Sequence, residues 1–301
     1  MSTPPKRLPG DRGHLGRLLD LWARDTEELV TSGRLRRLVG VTAIIQMLDG
    51  LRDEEGQERI AFKGGAALEL RFGFRARASN DLDGAYRGEV SEAIGLIDEG
   101  VRRGWSGFTG RTTEGESIMG TGLAVAPVRF RVKLLYKEKD FVTVPMELSP
   151  VEGHSLDQVE VLPAAMSLAP VQLAEAEAIP FLPIRYQVAQ KLHACTEDLG
   201  EERPNQRARD LADILLIEEL ALGDEQMSGL RDACVEIFEL RGKHRWPPTV
   251  VAWPGWDDIW ERLVETERLD YSIAEAIARV QDLVDRIDSA LPEGPPVSRP
   301  G

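Results

Sequence analysis

The sequence predicts an α/β chain of the α+β kind, with a first lobe built on a mixed sheet and a second, mainly helical lobe. Three observations predict it. Apolar residues recur at helical spacing over residues 14–51 and again from Pro183 to about Ala290. Between them lie short stretches with strand alternation, at 60–62, 81–86, 128–136 and 141–148. A segment punctuated by Pro163, Pro170, Pro180 and Pro183 separates the two patterns. It sets the expected division at 1–170 and 171–301.

Taken in order, residues 1–13 are rich in Pro, Gly and charge and read as a loose arm. Leu15, Leu18, Leu19, Leu21 and Trp22, then Leu35, Leu38, Val41, Ile44, Ile45 and Leu48, make two helices broken near Thr31-Ser32-Gly33. Ile60-Ala61-Phe62 is a short strand running into a Gly64-Gly65 turn. Ala66 to Phe72 is a helix stopped by Gly73, Asp81 to Tyr86 is a strand, and a polar helix covers about 91–104. Residues 128–136 and 141–148 make a β-hairpin across the short charged connection Lys137-Glu138-Lys139-Asp140. Helices follow Pro183, and the tail from Leu291, with its four prolines, is expected to be disordered.

Bulk properties narrow the function. Apolar residues are 42% of 301, enough for a full core. No apolar run is long enough to span a membrane. Residues 1–10 lack the apolar region of a signal peptide, so a cytoplasmic protein is expected. Cys195 and Cys234 are the only cysteines, which rules out a disulfide framework, and none of the 4 His has metal-ligand spacing to another. Net charge is −14, but it is unevenly spread: residues 1–150 hold 23 Lys+Arg against 22 Asp+Glu, and residues 151–301 hold 14 against 29. The first half concentrates Arg34, Arg36, Arg37, Arg71, Arg75, Arg77, Arg129, Arg131, Lys133, Lys137 and Lys139. These are either a local phosphate-binding surface on an acidic protein or solvated faces.

The chemistry concentrates in Phe62-Lys63-Gly64-Gly65-Ala66-Ala67-Leu68 and Ser79-Asn80-Asp81-Leu82-Asp83. An Asp-x-Asp on a strand points both carboxylates to one face. Such a pair binds Mg²⁺, which in turn holds nucleotide phosphates. A glycine turn at a helix N-terminus offers N–H groups to the same phosphates. The combination suits nucleotidyl transfer, and the plain alternative for Asp81 and Asp83 is a turn or cap. Glu147 is the candidate third acid; otherwise it is a solvent-facing strand residue.

Farther on, Ile184, Val188, Leu192, Cys195 and Leu199 form an apolar stripe with Lys191 on its flank. A lysine there either snorkels outward or reaches a nucleotide phosphate. Asp210 and Asp213 share one helix face. Asp210, nearer the helix start, suits the dipole or a salt bridge to Arg207 or Arg209. Asp213 lies deeper in an apolar helix and needs a partner, for which Lys191 is the natural choice.

Four motifs thus stand in order: Lys63-Gly64-Gly65-x-Ala67-Leu68, Arg77-x-Ser79-x-Asp81-x-Asp83, Gln190-Lys191-Leu192-His193-Ala194 and Arg209-Asp210-Leu211-x-Asp213. As a set, spanning about residues 35–287, they resemble the AbiEii-type nucleotidyltransferase toxins of bacterial type IV toxin–antitoxin systems. The helix at 184–196 and Trp246-Pro247-Pro248 are similar to the mycobacterial MenT branch. The resemblance implies a DNA-polymerase-β-like nucleotidyltransferase lobe joined to a helical lobe, with the site in the cleft. It implies transfer of nucleotides, often pyrimidines from CTP or UTP, to the 3′ acceptor end of tRNA, which blocks aminoacylation and translation. By position, Asp81 and Asp83 would ligate the metal, Lys191 would hold the triphosphate, and Asp213 would be the essential acid of the helical lobe. Asp81, Lys191 and Asp213 are then the catalytic set, and Lys63, Gly64, Gly65 and Ser79 join Lys191 in binding nucleotide. One departure is Ala66 where many members carry Thr or Ser, which removes a hydroxyl and keeps the backbone donors.

The expected partners are tRNA and a cognate antitoxin, and the chain is expected to be a monomer with no membrane association. Ser79 lies two residues before Asp81, so phosphorylation there would add roughly −1.5 to −2 charges beside the acids, an off-switch open to an antitoxin. Two other readings use the same residues: transfer of a nucleotidyl or phosphoryl group to a protein or small molecule, and a non-catalytic nucleotide-binding regulator.

Overall fold

The computed structural model describes residues 7–26, 30–48, 51–117, 127–200, 202–267 and 269–291. The expected tail after 291 lies outside them, as do residues 1–6 of the expected arm 1–13. The chain divides into two compact units, Met1–Leu182 and Pro183–Gly301.

In the first unit, helices α1 (Arg12–Asp25) and α2 (Ser32–Met47) precede strand β1 (Ile60–Lys63) and helix α3 (Gly64–Phe72). Strand β2 (Leu82–Tyr86) and helix α4 (Val90–Arg103) follow, then β3 (Phe108–Thr112), β4 (Glu116–Ser117), β5 (Val128–Tyr136), β6 (Lys139–Pro150), β7 (Glu160–Leu162) and β8 (Ile179–Phe181). They form one mixed sheet in the order β3-β5-β6-β2-β1-β8-β7, with β4 paired to β5. The β2–β6 and β1–β8 pairs are parallel and the rest antiparallel.

The expected helix break at residues 31–33 is a capped start: Thr31 Oγ1 accepts the Arg34 N–H at 3.1 Å. Helix α2 is buried along almost its whole length after Leu35. It lies so close to the sheet that a Cβ on Gly40 would sit 2.5 Å from Val142 Cγ1. The β5–β6 connection is a two-residue turn with Lys137 and Glu138 at φ 44° and 66°, the left-handed pair that matches strand twist in a hairpin.

Three expectations need correction. Residues 7–13 are not a loose arm: Tyr136 Oη donates to Pro9 O at 2.9 Å, Pro9 is buried, and Asp11 caps α1. Helix α3 begins at Gly64, two residues before its predicted start. The division falls at 182/183, not 170/171, because β8 is part of the first unit's sheet. Phe181 pairs with Phe62, and Leu182 N–H donates to Phe62 O at 2.9 Å. At three residues, β7 and β8 are too short to set up an alternation among prolines.

A buried ion pair braces the loop that leads into β2. Arg34 Nε lies 2.6 Å from Glu69 Oε1, with side chains 11% and 3% exposed. Arg34 also donates to the Ala76 carbonyl, and Glu69 Oε2 accepts the Ser79 N–H at 3.4 Å. Helices α2 and α3 thus hold residues 76–79 in place just before Asp81.

The second unit is helical: α5 (Ile184–Thr196), α6 (Ala208–Ala221), α7 (Met227–Arg241), α8 (Trp256–Glu267) and α9 (Ile273–Ser289). Helix α5 is its centre, with nearly every side chain buried against α6 and α7. Asn205 fixes the α5–α6 connection. Its amide donates to Ala194 O and Glu197 O at 2.8 and 2.9 Å, and its Oδ1 accepts the Arg207 N–H at 2.8 Å.

The brace makes a measurable prediction. Burial pushes the Glu69 carboxyl above its ordinary value, against the pull of Arg34. Removing Arg34 strands a buried carboxylate, so Arg34→Ala is expected to destabilise the chain by about 3–5 kcal/mol at pH 7. A raised folded-state pKa means the native state takes up a proton first as pH falls. The deficit relative to wild type therefore shrinks as pH drops through that pKa toward 4.5, as urea unfolding at pH 7 and pH 5 will read.

Candidate active site

Four neighbouring strands carry one row of charge. The register sets Lys63 of β1 against Asp83 of β2, Asp83 beside Glu147 of β6, and Glu147 against Arg129 of β5. Residues directly opposite share a face. The row therefore reads plus, minus, minus, plus across one face, while Phe62, Leu82, Met146, Leu148 and Phe130 fill the core on the other. Asp81 stands two residues before Asp83, as strand β2 begins.

The acids act on a common cation. Arg129 NH2 lies 2.9 Å from Glu147 Oε2. The Glu147 hydrogen bond holds the Arg129 guanidinium above its ordinary pKa, burial opposes it, and the charges of Glu147, Asp81 and Asp83 add to the rise. At the other end of the row, Lys63 Nζ donates to Ser149 Oγ at 2.8 Å.

Both glycines are demanded by close approach. Gly64 has φ +73°, and a Cβ there would lie 2.2 Å from Asp83 Oδ2. A Cβ on Gly65 would lie 2.9 Å from Ser79 Oγ and 3.0 Å from Ser79 Cβ. Lys63 is the N-cap of α3 and makes no side-chain capping bond. The chain therefore brings the start of a helix, with its outward N–H groups and positive dipole end, against the Asp83 carboxylate.

The donor chemistry fits a hard divalent cation. Asp83 offers carboxylate oxygens beside a backbone cradle that any Cβ would fill, and Asp81 stands two residues before it. Among the described residues, no three His, Cys, Asp or Glu side chains are grouped as a metal centre. Glu147 stands in the row beside Asp83, but its carboxylate is engaged by Arg129. Ser79 Oγ donates to the Asp81 carbonyl at 3.3 Å, so the Ser79 side chain packs between the Gly65 backbone and the main chain of Asp81.

The second unit carries the remaining candidates. Lys191 does not snorkel: it is 6% exposed, with Nζ 2.6 Å from Asp213 Oδ2 and 3.0 Å from Asp210 Oδ1. Arg207 Nε adds a bond of 2.7 Å to Asp210 Oδ2. The partner expected for Asp213 is therefore the one observed, and Asp210 takes both the expected arginine and the same lysine. Lys191 and the two carboxylates are buried in the helical core, and the half-exposed Arg207 balances the second acid from the surface.

Sequence reasoning missed three pairings: Arg129 with Glu147, Ser149 with Lys63, and the Arg34–Glu69 brace. Only the first had a signal. Phe141 and Val142 are adjacent apolar residues that break the alternation of β6, the mark of a bulge, and the register does shift between Leu134 and Leu135. Counted without the bulge, Arg129 would face Met146.

A profile of the family described as nucleotidyl transferase AbiEii toxin, type IV TA system, matches residues 46–290. No curated protein matches by sequence. Among solved structures, the chain is similar to MenT4, a nucleotidyltransferase toxin of Mycobacterium tuberculosis, with TM-score 0.55, 17% identity, and 91% of this chain and 90% of that one covered. Two Helicobacter pylori structures are also similar: JHP933 (TM-score 0.45, 16% identity, 86% and 93% covered) and a putative nucleotidyltransferase (0.46, 16%, 86% and 96%). The likeness to MenT4 bears on the fold. The profile covers well over half of the 301 residues, and on that ground the chain belongs to the AbiEii family of nucleotidyltransferase toxins.

Proposed function

We propose that the chain transfers a nucleotide, a pyrimidine from CTP or UTP, to the 3′ acceptor end of tRNA and so blocks aminoacylation. The charge row carries this reading: two carboxylates beside a glycine-turned helix start are the parts such a transfer needs. Asp81 and Asp83 would hold Mg²⁺, which when bound supplies charge to the triphosphate and makes the RNA 3′-hydroxyl a better nucleophile. The Gly64-Gly65 backbone lets phosphate oxygens reach the first N–H groups of α3, with Lys63 alongside. In the helical unit, Asp213 orients the Lys191 ammonium, and Lys191 in turn holds the triphosphate. Glu147 would be a third ligand, released from Arg129.

The choice of an RNA acceptor is supported by the strands beside the row. Arg131 and Lys133 follow Arg129 on the same face of β5, and Arg111 of β3 stands opposite Lys133. A basic strip on a chain of net charge −14 suits a polyanion bound locally.

Regulation by an antitoxin is proposed at Ser79. A phosphate there would set roughly −1.5 to −2 charges against the buried Glu69 carboxylate and the acids, where the Gly65 backbone already leaves little room.

Two outcomes are expected. With α-labelled CTP, UTP, ATP and GTP, Mg²⁺ and total tRNA, the wild type labels tRNA from CTP or UTP. Asp81→Ala lowers that rate by about 10²–10³-fold or more. Label from neither pyrimidine, or wild-type rates in the variant, would refute the reading. In the same assay Ser79→Ala keeps most activity and Ser79→Asp loses roughly tenfold or more, a penalty of about 1.4 kcal/mol; full activity in Ser79→Asp sinks the switch.

A further inference from the structure

The second unit contains a cavity of about 630 Å³ that none of the residues discussed above uses. Its volume falls within the ~300–1,000 Å³ of small-ligand sites. Helix α7 supplies Arg231 and Phe238, and the turn after it supplies Lys243, His244, Arg245 and Trp246. Gly242, at φ +60°, ends the helix and swings that turn back across it.

One wall is aromatic and fixed. The Phe238 ring stands edge-on to His244 at 4.9 Å and to Trp246 at 5.3 Å, with His193 of α5 packed 4.9 Å behind it. Trp246 Nε1 donates to Asp288 Oδ1 at 2.9 Å, which locks the indole. Thr196 Oγ1 donates its proton to Leu192 O at 2.7 Å. The 2.8 Å contact of Thr196 Oγ1 with His244 Nε2 must then be donated by the imidazole. His244 Nδ1 is left as a bare acceptor with no partner among the described residues. Burial holds the His244 pKa below its ordinary value, so the ring contributes a neutral aromatic surface.

Cations share the lining, against the trend of their surroundings. The unit from Pro183 to Gly301 holds 14 Lys+Arg against 24 Asp+Glu, yet Arg231, Lys243 and Arg245 all line this cavity, beside Glu239 and Asp288. No ion pair engages Lys243 or Arg245 among the described residues, and both are exposed. Arg231 lies at the same cavity with its Nε on the Asp288 carbonyl at 3.3 Å.

We infer that this cavity is a nucleotide-binding site distinct from the acid row. The base enters beside Trp246 and His244, and the phosphate is held by Lys243 and Arg245. Aromatic rings and cations lining one cavity match a base joined to a phosphate, whether a free mononucleotide or an unpaired residue of an RNA strand. Glu239 and Asp288, on the same lining, provide acceptors for base N–H groups. The inference does not depend on catalysis, because binding is read without a divalent cation or a triphosphate.

The test is intrinsic fluorescence of the whole chain in EDTA, titrated with AMP and with a five-nucleotide single-stranded RNA. Trp246→Phe isolates the response of one of the 6 tryptophans. Quenching of Trp246 by either probe is expected. Lys243→Gln with Arg245→Gln, both at exposed positions, is expected to weaken binding roughly tenfold or more. For the RNA, the slope of log K against log salt should fall by about 1.4 as two phosphate contacts are lost. Binding of both probes, or of AMP alone, with these effects upholds a site open to free nucleotides. Binding of the RNA alone upholds a strand site. No quenching of Trp246 by either probe, or equal affinity in the double variant, overturns the inference.

Discussion

The close approach of the Gly64 backbone to the Asp83 carboxylate is the constraint on which the rest of the first unit depends. With φ +73° and a Cβ there 2.2 Å from Asp83 Oδ2, any other residue would be strained and would push the carboxylate aside. The contact fixes where α3 starts, which sets its N–H groups against the acids. It also fixes β2 beside β1, and so the order in which Lys63, Asp83, Glu147 and Arg129 meet. The Arg34–Glu69 pair holds the intervening loop, so the two Asp side chains follow a braced segment.

The chain uses balanced charge twice, in opposite surroundings. In the row, Arg129 is more than half exposed and Glu147 about a quarter, so water can replace either partner and an exchange for ligand is cheap. In the helical unit Lys191, Asp210 and Asp213 are almost fully buried, and parting any of them leaves a desolvated charge. The row can therefore change partners at little cost, and the buried cluster cannot. Any phosphate that draws on Lys191 meets an ammonium already held in place by two carboxylates.

Much of this was legible in the sequence. Strand parity put Asp83 in the charge row, although β2 begins only after Asp81; the glycine pair marked the turn, and the cost of an unpaired buried acid made Lys191 the partner of Asp213. What was not legible depends on non-local pairing. β7 and β8 are three residues each and exist because neighbouring strands accept them. Arg129 meets Glu147 only because a bulge shifts the hairpin register by one, although the adjacent Phe141 and Val142 announced it. Glu69, within an apolar helix, gave no hint that its partner lay 35 residues upstream.

The most direct measurement is a crystal structure of the chain with Mn²⁺ and a non-hydrolysable nucleoside triphosphate. Anomalous density for manganese on Asp81 and Asp83, with the triphosphate against the Gly64-Gly65 turn, is the expected result. A triphosphate bound away from that turn, with no metal at either aspartate, would contradict the row as the site of transfer.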